Sequence, residues 1–210
     1  MPSRRLPTKT IRRRAPHARP PHLQGDQLII ERLLQPDIVL TGPIDQDLLD
    51  GFFEQCSKLS SETSEIVVSL TTQGGDADIG RRIAQHLRLL QRQGHNVQFV
   101  GVTTVFSAGV TIMASVPRLR RYLTRDAELL IHERQYTDGK PSDGPISAAL
   151  QMAQSKVAEL ETALELQWQG FAELIDGSDV NDEELKRRAA TNWYLTAEEA
   201  LKRRLVAELI

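Results

Sequence analysis

Residues 97–116, VQFVGVTTVFSAGVTIMASV, form an uncharged stretch of twenty residues in the middle of the chain. The first part is rich in β-branched residues, and the second part, from Ser107, is rich in small ones. This change in composition predicts a buried strand over 97–102 that leads into a buried helix beginning at Ser107. The stretch is long enough to cross a bilayer, but its polar residues and glycines favour the strand and helix.

Short apolar runs and helical patterns alternate on both sides of this stretch. Before it, strands are predicted at 38–40 and 66–70, and each is followed by a helix with one apolar face, at 47–59 and 77–91. A further strand is predicted at 128–132. Repeated strand–helix units with continuously apolar strands are typical of an α/β fold with a largely parallel sheet buried on both faces.

The composition is that of an ordinary globular protein. Of the 210 residues, 40% are hydrophobic and 26% are charged, which excludes a collagen-like or wholly disordered chain. We therefore predict a single domain over residues 26–210. The one cysteine, Cys56, can form neither an internal disulfide nor a cysteine-based zinc site alone. This cysteine usage is typical of a reducing compartment, so we expect a cytoplasmic protein. We also expect no bound metal and no cofactor.

The N-terminus differs from the rest of the chain in charge. Residues 1–20 contain seven Lys and Arg side chains and no acid. The prolines among them oppose a regular helix, so residues 1–25 are predicted to form a disordered, basic, proline-rich arm. Such an arm could contact nucleic acid or anionic lipid, but it has no aromatic residues for base stacking. A solvated terminus is therefore favoured, and a nucleic-acid partner is not expected.

Apolar residues recur at steps of three and four between Ile146 and Trp168. This spacing predicts a helix over about 146–175 with one narrow apolar seam. The length favours a helix that contacts a second subunit, and packing within the chain's own core is the alternative. The seam consists of Ile146, Leu150, Ala153, Val157, Leu160, Leu164 and Trp168.

Three short motifs could together carry nucleophilic chemistry. Gly74-Gly75 follows a strand and precedes a helix, so its N–H groups could bind an oxyanion, although a tight turn also explains the pair. Ser107 lies at a strand-to-helix junction, where it could be a nucleophile beside the Ala108 N–H or simply the helix N-cap. His132 ends a strand and could take the Ser107 proton, with a structural histidine as the alternative.

The order and spacing of these features resemble the Clp protease proteolytic subunit family, serine peptidases with a crotonase-like fold. The resemblance rests on the glycine pair, a serine followed at +2 by glycine, and a histidine 25 residues after the serine. It also includes the long seam helix and the segment WYLTAEEA at 193–200. It covers residues 38–210.

This resemblance implies that Ser107 is the nucleophile, His132 is the general base, and the Gly74 and Ala108 N–H groups form the oxyanion hole. It also implies that the long helix is a protruding handle through which two rings of a homo-oligomer stack around a proteolytic chamber. An AAA+ unfoldase would feed that chamber. The family's third catalytic residue, an aspartate, aligns with Asn192. An asparagine carbonyl can accept the imidazole N–H, but it lacks the charge that stabilises the imidazolium.

Three functions therefore remain open. A serine endopeptidase that cleaves peptides or unfolded proteins through Ser107, His132 and Asn192 is favoured. A non-catalytic, structural or binding subunit of a Clp-like assembly is the first alternative, and Asn192 is the feature that favours it. A crotonase-type acyl-CoA enzyme would use the same oxyanion hole, but it needs neither the serine nor the histidine.

Overall fold

The computed structural model describes residues 29–60, 62–135 and 145–210. The predicted basic arm at 1–25 lies outside these residues. The strands are β1 (Ile38–Thr41), β2 (Glu65–Thr72), β3 (Asn96–Phe106), β4 (Arg121–Leu123), β5 (Glu128–Ile131), β6 (Trp193–Thr196) and β7 (Glu208–Leu209). The helices are α1 (Gln46–Ser57), α2 (Ala77–Arg92), α3 (Ala108–Ala114), α4 (Ile146–Ile175), α5 (Asp182–Ala189) and α6 (Ala197–Lys202).

The seven strands form one mostly parallel sheet. Strands β1, β2, β3, β4 and β7 follow one another in parallel pairs, β5 pairs in parallel with β3, and β6 runs antiparallel to β5. The consecutive residues Ile66, Val67 and Val68 of β2 are all fully buried, so both faces of the sheet are covered. The predicted α/β fold is confirmed. The short strands β4, β6 and β7 were not predicted.

Strand β3 is longer than predicted and changes its neighbour along its length. The prediction ended the strand at residue 102, whereas it continues to residue 106. The register with β2 shifts between Leu70 and Thr72, and Thr103 opposite this shift has a φ of 58°. The first part of β3 pairs with β4, and the last part pairs with β5. The irregularity therefore allows the C-terminal end of β3 to lie beside β5.

Two glycines allow α3 to pack closely on its neighbours. A Cβ atom at Gly80 of α2 would lie 3.0 Å from Ala108 Cβ. A Cβ atom at Gly109 of α3 would lie 2.5 Å from Thr72 Cγ2 at the end of β2. The absence of a side chain at Gly109 therefore allows the start of α3 to lie close to the end of β2, and its absence at Gly80 allows α2 to lie close to Ala108.

Helix α4 has the bounds that the sequence predicted. Its C-terminal part packs on the core, where Leu174 is fully buried. Its N-terminal part exposes the seam, with Ile146 89% exposed and Val157 54% exposed. Within the described part of the chain, the core therefore covers the C-terminal end of this helix, whereas most of the apolar seam is left uncovered.

The uncharged stretch at 97–116 is divided between β3 and α3, in line with the predicted strand and helix. None of the helices formed by residues 29–60, 62–135 and 145–210 combines the length and the apolarity needed to cross a membrane.

Candidate active site

Ser107 connects β3 to α3 in a backbone conformation that residues other than glycine rarely adopt. Its φ is 56° and its ψ is −118°. Its N–H donates to the Leu130 carbonyl of β5 over 2.8 Å, which holds the turn against the sheet. The Ser107 hydroxyl makes no capping hydrogen bond to α3. Ser107 therefore occupies the N-cap position of α3 without capping it through its side chain, and the hydroxyl is left available for other chemistry.

Gly74 of the glycine pair is packed directly against this serine, and Gly75 is packed against Ile44. A Cβ atom at Gly74 would lie 2.7 Å from Ser107 Cβ and 3.3 Å from Ser107 Oγ, and the φ of Gly74 is +100°. At Gly75, where φ is +151°, a Cβ atom would lie 2.3 Å from the Ile44 carbonyl oxygen. Both positions require glycine, because a side chain at Gly74 would push the loop away from Ser107 and one at Gly75 would push it away from Ile44.

The two glycine N–H groups have different surroundings. The Gly74 N–H donates to the Thr72 hydroxyl over 3.0 Å, so it is already paired. Gly75, and not Gly74, lines the cavity that contains Ser107. Among the described residues, neither the Gly75 N–H nor the Ala108 N–H donates to an acceptor. Within the described part of the chain these two groups are therefore free of hydrogen bonds, whereas the Gly74 N–H of the sequence prediction is paired.

His132 lies beside Ser107 because their strands are neighbours. Phe106 of β3 pairs with Leu130 of β5, and the serine and the histidine follow these strands at the same edge of the sheet. Both residues line one cavity. The His132 Nδ1–H donates to the Glu133 carbonyl over 2.6 Å. A carbonyl can only accept, so this bond places the proton of a neutral imidazole on Nδ1 and leaves Nε2 as the proton acceptor.

The antiparallel pairing of β5 and β6 brings Asn192 to the level of His132. Ile131 pairs with Trp193, and His132 and Asn192 are the residues that adjoin this last pair of the register. Asn192 is exposed and has a φ of 58°. The imidazole Nδ1 is engaged by the Glu133 carbonyl, so the Asn192 amide does not orient the ring in this structure.

The cavity beside Ser107 has a volume of about 620 Å³. Ser107 and His132 line it together with residues of helix α4. The lining residues of α4 are mostly apolar, and they are Glu159, Leu160, Ala163, Leu164, Leu166, Gln167, Gly170, Phe171 and Leu174. A cavity of this kind accepts a large side chain next to a reacting group.

Neither a metal centre nor a reactive thiol is found among the described residues. No group of three or more His, Cys, Asp or Glu side chains among them is arranged to hold a metal ion. Burial raises the pKa of the Cys56 thiol to about 11, so this thiol is protonated at neutral pH and is a poor nucleophile.

Comparison with known proteins places the chain in a family. The family model described as Clp protease matches residues 24–210. The ATP-dependent Clp protease proteolytic subunit of Streptococcus sanguinis (strain SK36) is 26% identical over 187 residues, which cover 87% of this chain and 88% of that protein. The ATP-dependent Clp protease proteolytic subunit 2 of Treponema pallidum (strain Nichols) is 29% identical over 112 residues, which cover 52% and 55% of the two chains.

Among solved structures, an asparagine-to-aspartate mutant of ClpP1 from Listeria monocytogenes has the same fold. Its TM-score is 0.65 at 19% identity, and the match covers 87% of this chain and 95% of that chain. Since the family model also matches most of the sequence, the chain belongs to the Clp protease family.

Proposed function

We propose that this protein is a Clp-type serine endopeptidase in which Ser107 is the nucleophile and His132 is the general base. Membership of the Clp protease family supports a peptidase of this type. The observation that carries the proposal is the uncapped Ser107 hydroxyl in its strained turn, which shares a cavity with His132. Strained residues that are held in place by the surrounding fold cluster at active sites.

In the proposed reaction, Ser107 Oγ attacks the carbonyl carbon of the scissile peptide bond while His132 Nε2 takes its proton. The Gly75 and Ala108 N–H groups donate to the oxyanion of the tetrahedral intermediate. His132 then passes the proton to the leaving amine, and the acyl-enzyme is hydrolysed by a water that His132 activates in the same way. Gly74 contributes by its lack of a side chain, which allows the loop to approach Ser107.

The group that orients the imidazole is neutral in this proposal. The Glu133 carbonyl holds Nδ1–H, and Asn192 directly precedes Trp193, which pairs with Ile131. Neither group carries the negative charge that stabilises an imidazolium, so we expect slower catalysis than with an aspartate at 192. The exposure of Asn192 favours the second candidate function, a non-catalytic subunit of a Clp-like assembly.

Labelling with a fluorophosphonate probe tests the proposal, because only an activated serine reacts. We expect the wild-type protein to be labelled at Ser107, as located by mass spectrometry. We expect Asn192→Asp to be labelled at least about tenfold faster, since the reverse exchange lowers turnover by up to ~10⁴-fold in one serine protease. Asn181→Asp is the matched control: it adds the same charge at a helix N-cap, where Asp is equally suitable, and should not alter the rate.

Each pattern of labelling leads to a different conclusion. Labelling of Asn192→Asp alone would indicate a silenced peptidase site and therefore a non-catalytic subunit. No labelling of either protein would contradict the assignment of Ser107 as an activated nucleophile.

We further propose that copies of the chain assemble through the exposed seam of α4, as expected for a family that forms oligomers. Val157→Lys places an unpaired charge in this seam and should raise the dissociation constant of the assembly at least about tenfold. Light scattering coupled to size-exclusion chromatography measures this effect. Ser155→Lys, an exposed position on the opposite side of the helix, should leave the assembly unchanged. Equal dissociation of the two variants would contradict the seam as the contact.

The family also suggests the partner and the substrate. An AAA+ unfoldase would deliver unfolded protein to the assembled chamber, and short peptides would enter without it. Family membership argues against the crotonase-type acyl-CoA alternative. The cytoplasmic location stays a prediction from the single cysteine.

A further inference from the structure

Gln167 of α4 bonds the backbone of the segment that follows His132. The residue is buried, and its Oε1 accepts the Arg134 N–H over 2.6 Å. A backbone N–H can only donate, so the atom that meets it is the amide oxygen and not the amide nitrogen. This hydrogen bond links helix α4 to the backbone next to the proposed general base.

The Arg134 N–H and the Glu133 carbonyl belong to the same peptide unit. None of the described peptide bonds is cis, so this unit is trans and planar, and its N–H and C=O point to opposite sides of the chain. The N–H bonds Gln167, and the carbonyl accepts the His132 Nδ1–H over 2.6 Å. The orientation of one rigid plane therefore decides both hydrogen bonds.

Two neighbouring contacts of the segment do not hold this plane. The Glu133 N–H donates to the Ala189 carbonyl over 3.4 Å, and the Arg134 guanidinium forms an ion pair with Asp78. The first group belongs to the preceding peptide unit, and the second belongs to a side chain. A rotation of the plane about the axis through its two Cα atoms would leave both contacts in place, whereas it would break the bonds to Gln167 and to the imidazole.

A second donor lies near the Glu133 carbonyl. Gln135 Nε2 is 3.3 Å from the carbonyl oxygen, which is farther than the His132 Nδ1. Gln135 is exposed, so water competes for its amide and this bond adds little to the orientation of the plane. Among the described residues, the buried Gln167 amide is therefore the partner from another element that fixes the peptide unit.

Packing alone does not explain a glutamine at position 167. Its Nε2 is buried and has no hydrogen-bond partner among the described residues, although buried donors are nearly always paired. A leucine, as at positions 164 and 174 of the same helix, would fill the space without leaving a donor unpaired. The amide oxygen, which holds the Arg134 N–H, is the part of the side chain that the fold uses.

We propose that Gln167 is a positioning residue for the general base. Its Oε1 fixes the peptide unit in the orientation in which the Glu133 carbonyl accepts the His132 Nδ1–H, so that the His132 Nε2 is left to take a proton. This inference rests on the proposed peptidase function, which gives His132 its role. An amide on α4 thereby supports, through the backbone, the imidazole orientation that a carboxylate secures in a Ser-His-Asp triad.

The tautomer of His132 tests this role without any peptide hydrolysis. The full-length protein, isotope-labelled at its histidines, is studied by solid-state NMR at an alkaline pH, where histidine side chains are ordinarily neutral. The nitrogen shifts distinguish the protonated ring nitrogen from the other one, and the spectrum of His132→Gln assigns the His132 signals. We expect the Nδ1–H form in the wild-type protein. In Gln167→Leu the ratio of the Nδ1–H to the Nε2–H form should fall about fivefold, as loss of one net hydrogen bond allows.

Three further variants isolate the amide oxygen. Gln167→Met is unbranched like glutamine and also lacks a strong acceptor, so the result does not depend on how a leucine packs. Gln167→Glu keeps an oxygen for the Arg134 N–H and should retain the wild-type tautomer. Gln169→Leu removes an amide at an exposed position of the same helix and should leave the tautomer unchanged.

Initial rates with a fluorogenic peptide separate positioning from substrate binding. In Gln167→Leu, kcat should fall at least about fivefold while KM changes by less than about twofold, because the change acts on the base and not on the bound peptide. Gln167→Glu should restore kcat. A kcat that stays at the wild-type value in a variant whose tautomer has changed would overturn the positioning role.

The tautomer decides the proposal independently of activity. The Nε2–H form in the wild-type protein, or an unchanged tautomer in both Gln167→Leu and Gln167→Met, would overturn it. An equal change in Gln167→Glu would also overturn it, because that variant keeps the oxygen. A change confined to the two variants without an acceptor supports the assignment, and absence of hydrolysis by the wild-type protein would then contradict only the peptidase function.

Discussion

Replacement of Ser107 by alanine is expected to lower kcat for peptide hydrolysis at least about 10⁴-fold. Loss of the nucleophile lowers kcat on the order of 10⁶-fold in one well-studied serine protease. A protein whose third catalytic group is weak has a lower kcat from the start, so removal of its nucleophile causes a smaller further decrease. Much of the damage from an asparagine in such a triad arises from the wrong imidazole tautomer. Here the Glu133 carbonyl secures the proton of His132 on Nδ1, so we expect a large remaining contribution from Ser107.

Initial rates with a fluorogenic peptide measure this effect. Ser115→Ala is the matched control, because Ser115 lies at the other end of α3 and bonds the Ile112 carbonyl over 2.7 Å without lining the cavity. Its kcat should equal that of the wild-type protein. A Ser107→Ala variant that retains activity within tenfold of wild type would show that another group attacks the substrate.

Replacement of Arg121 by methionine is expected to lower the free energy of unfolding by about 3–5 kcal/mol. Arg121 is only 2% exposed, and its guanidinium joins the end of α3, the end of α4 and the C-terminal segment. Methionine fills much of the same space but donates no hydrogen bond, so several buried carbonyl groups would lose their partner. These carbonyls belong to Ala114, Val116, Glu173, Leu174 and Leu205.

The charge on Arg121 persists in the folded protein. Burial lowers the pKa of its guanidinium to about 10, which still leaves the group protonated at neutral pH. Its five carbonyl acceptors offset the cost of burying that charge.

Urea unfolding followed by circular dichroism measures the stability change. Arg125→Met, at an exposed turn position, is the control and should change the unfolding free energy by less than about 0.5 kcal/mol. If Arg121→Met lowers the free energy of unfolding by less than about 1 kcal/mol, water or other donors satisfy the carbonyl groups that Arg121 bonds in the wild-type protein.

Sequence patterns were sufficient to locate the helices and strands whose apolar residues repeat over neighbouring positions of the chain. Helical periodicity located α4 at its observed bounds, and continuous apolar runs located β1 and β2 to within two residues at each end. The change of composition at Ser107 located the junction between β3 and α3. These signals are readable because a helix or a buried strand repeats its apolar positions over a few residues.

The hydrogen-bonding state of the site residues could be read only from the tertiary structure. Whether Gly74 or Gly75 offers a free N–H depends on the Thr72 hydroxyl, and the tautomer of His132 depends on how the backbone turns at Glu133. No sequence signal marks these hydrogen bonds.

The burial of particular polar residues also came from the fold. In the run PRLRRY nothing distinguishes Arg121 from the other two arginines, and Gln167 is one of several glutamines on α4. The burial of Arg121 is possible because it donates to carbonyls as far as 84 residues away in the sequence. The burial of Gln167 is possible because its side chain accepts the Arg134 N–H, which is 33 residues away. Long-range contacts of this kind leave no periodic trace in the sequence, because each is made once between segments that only the folded sheet and helices bring together.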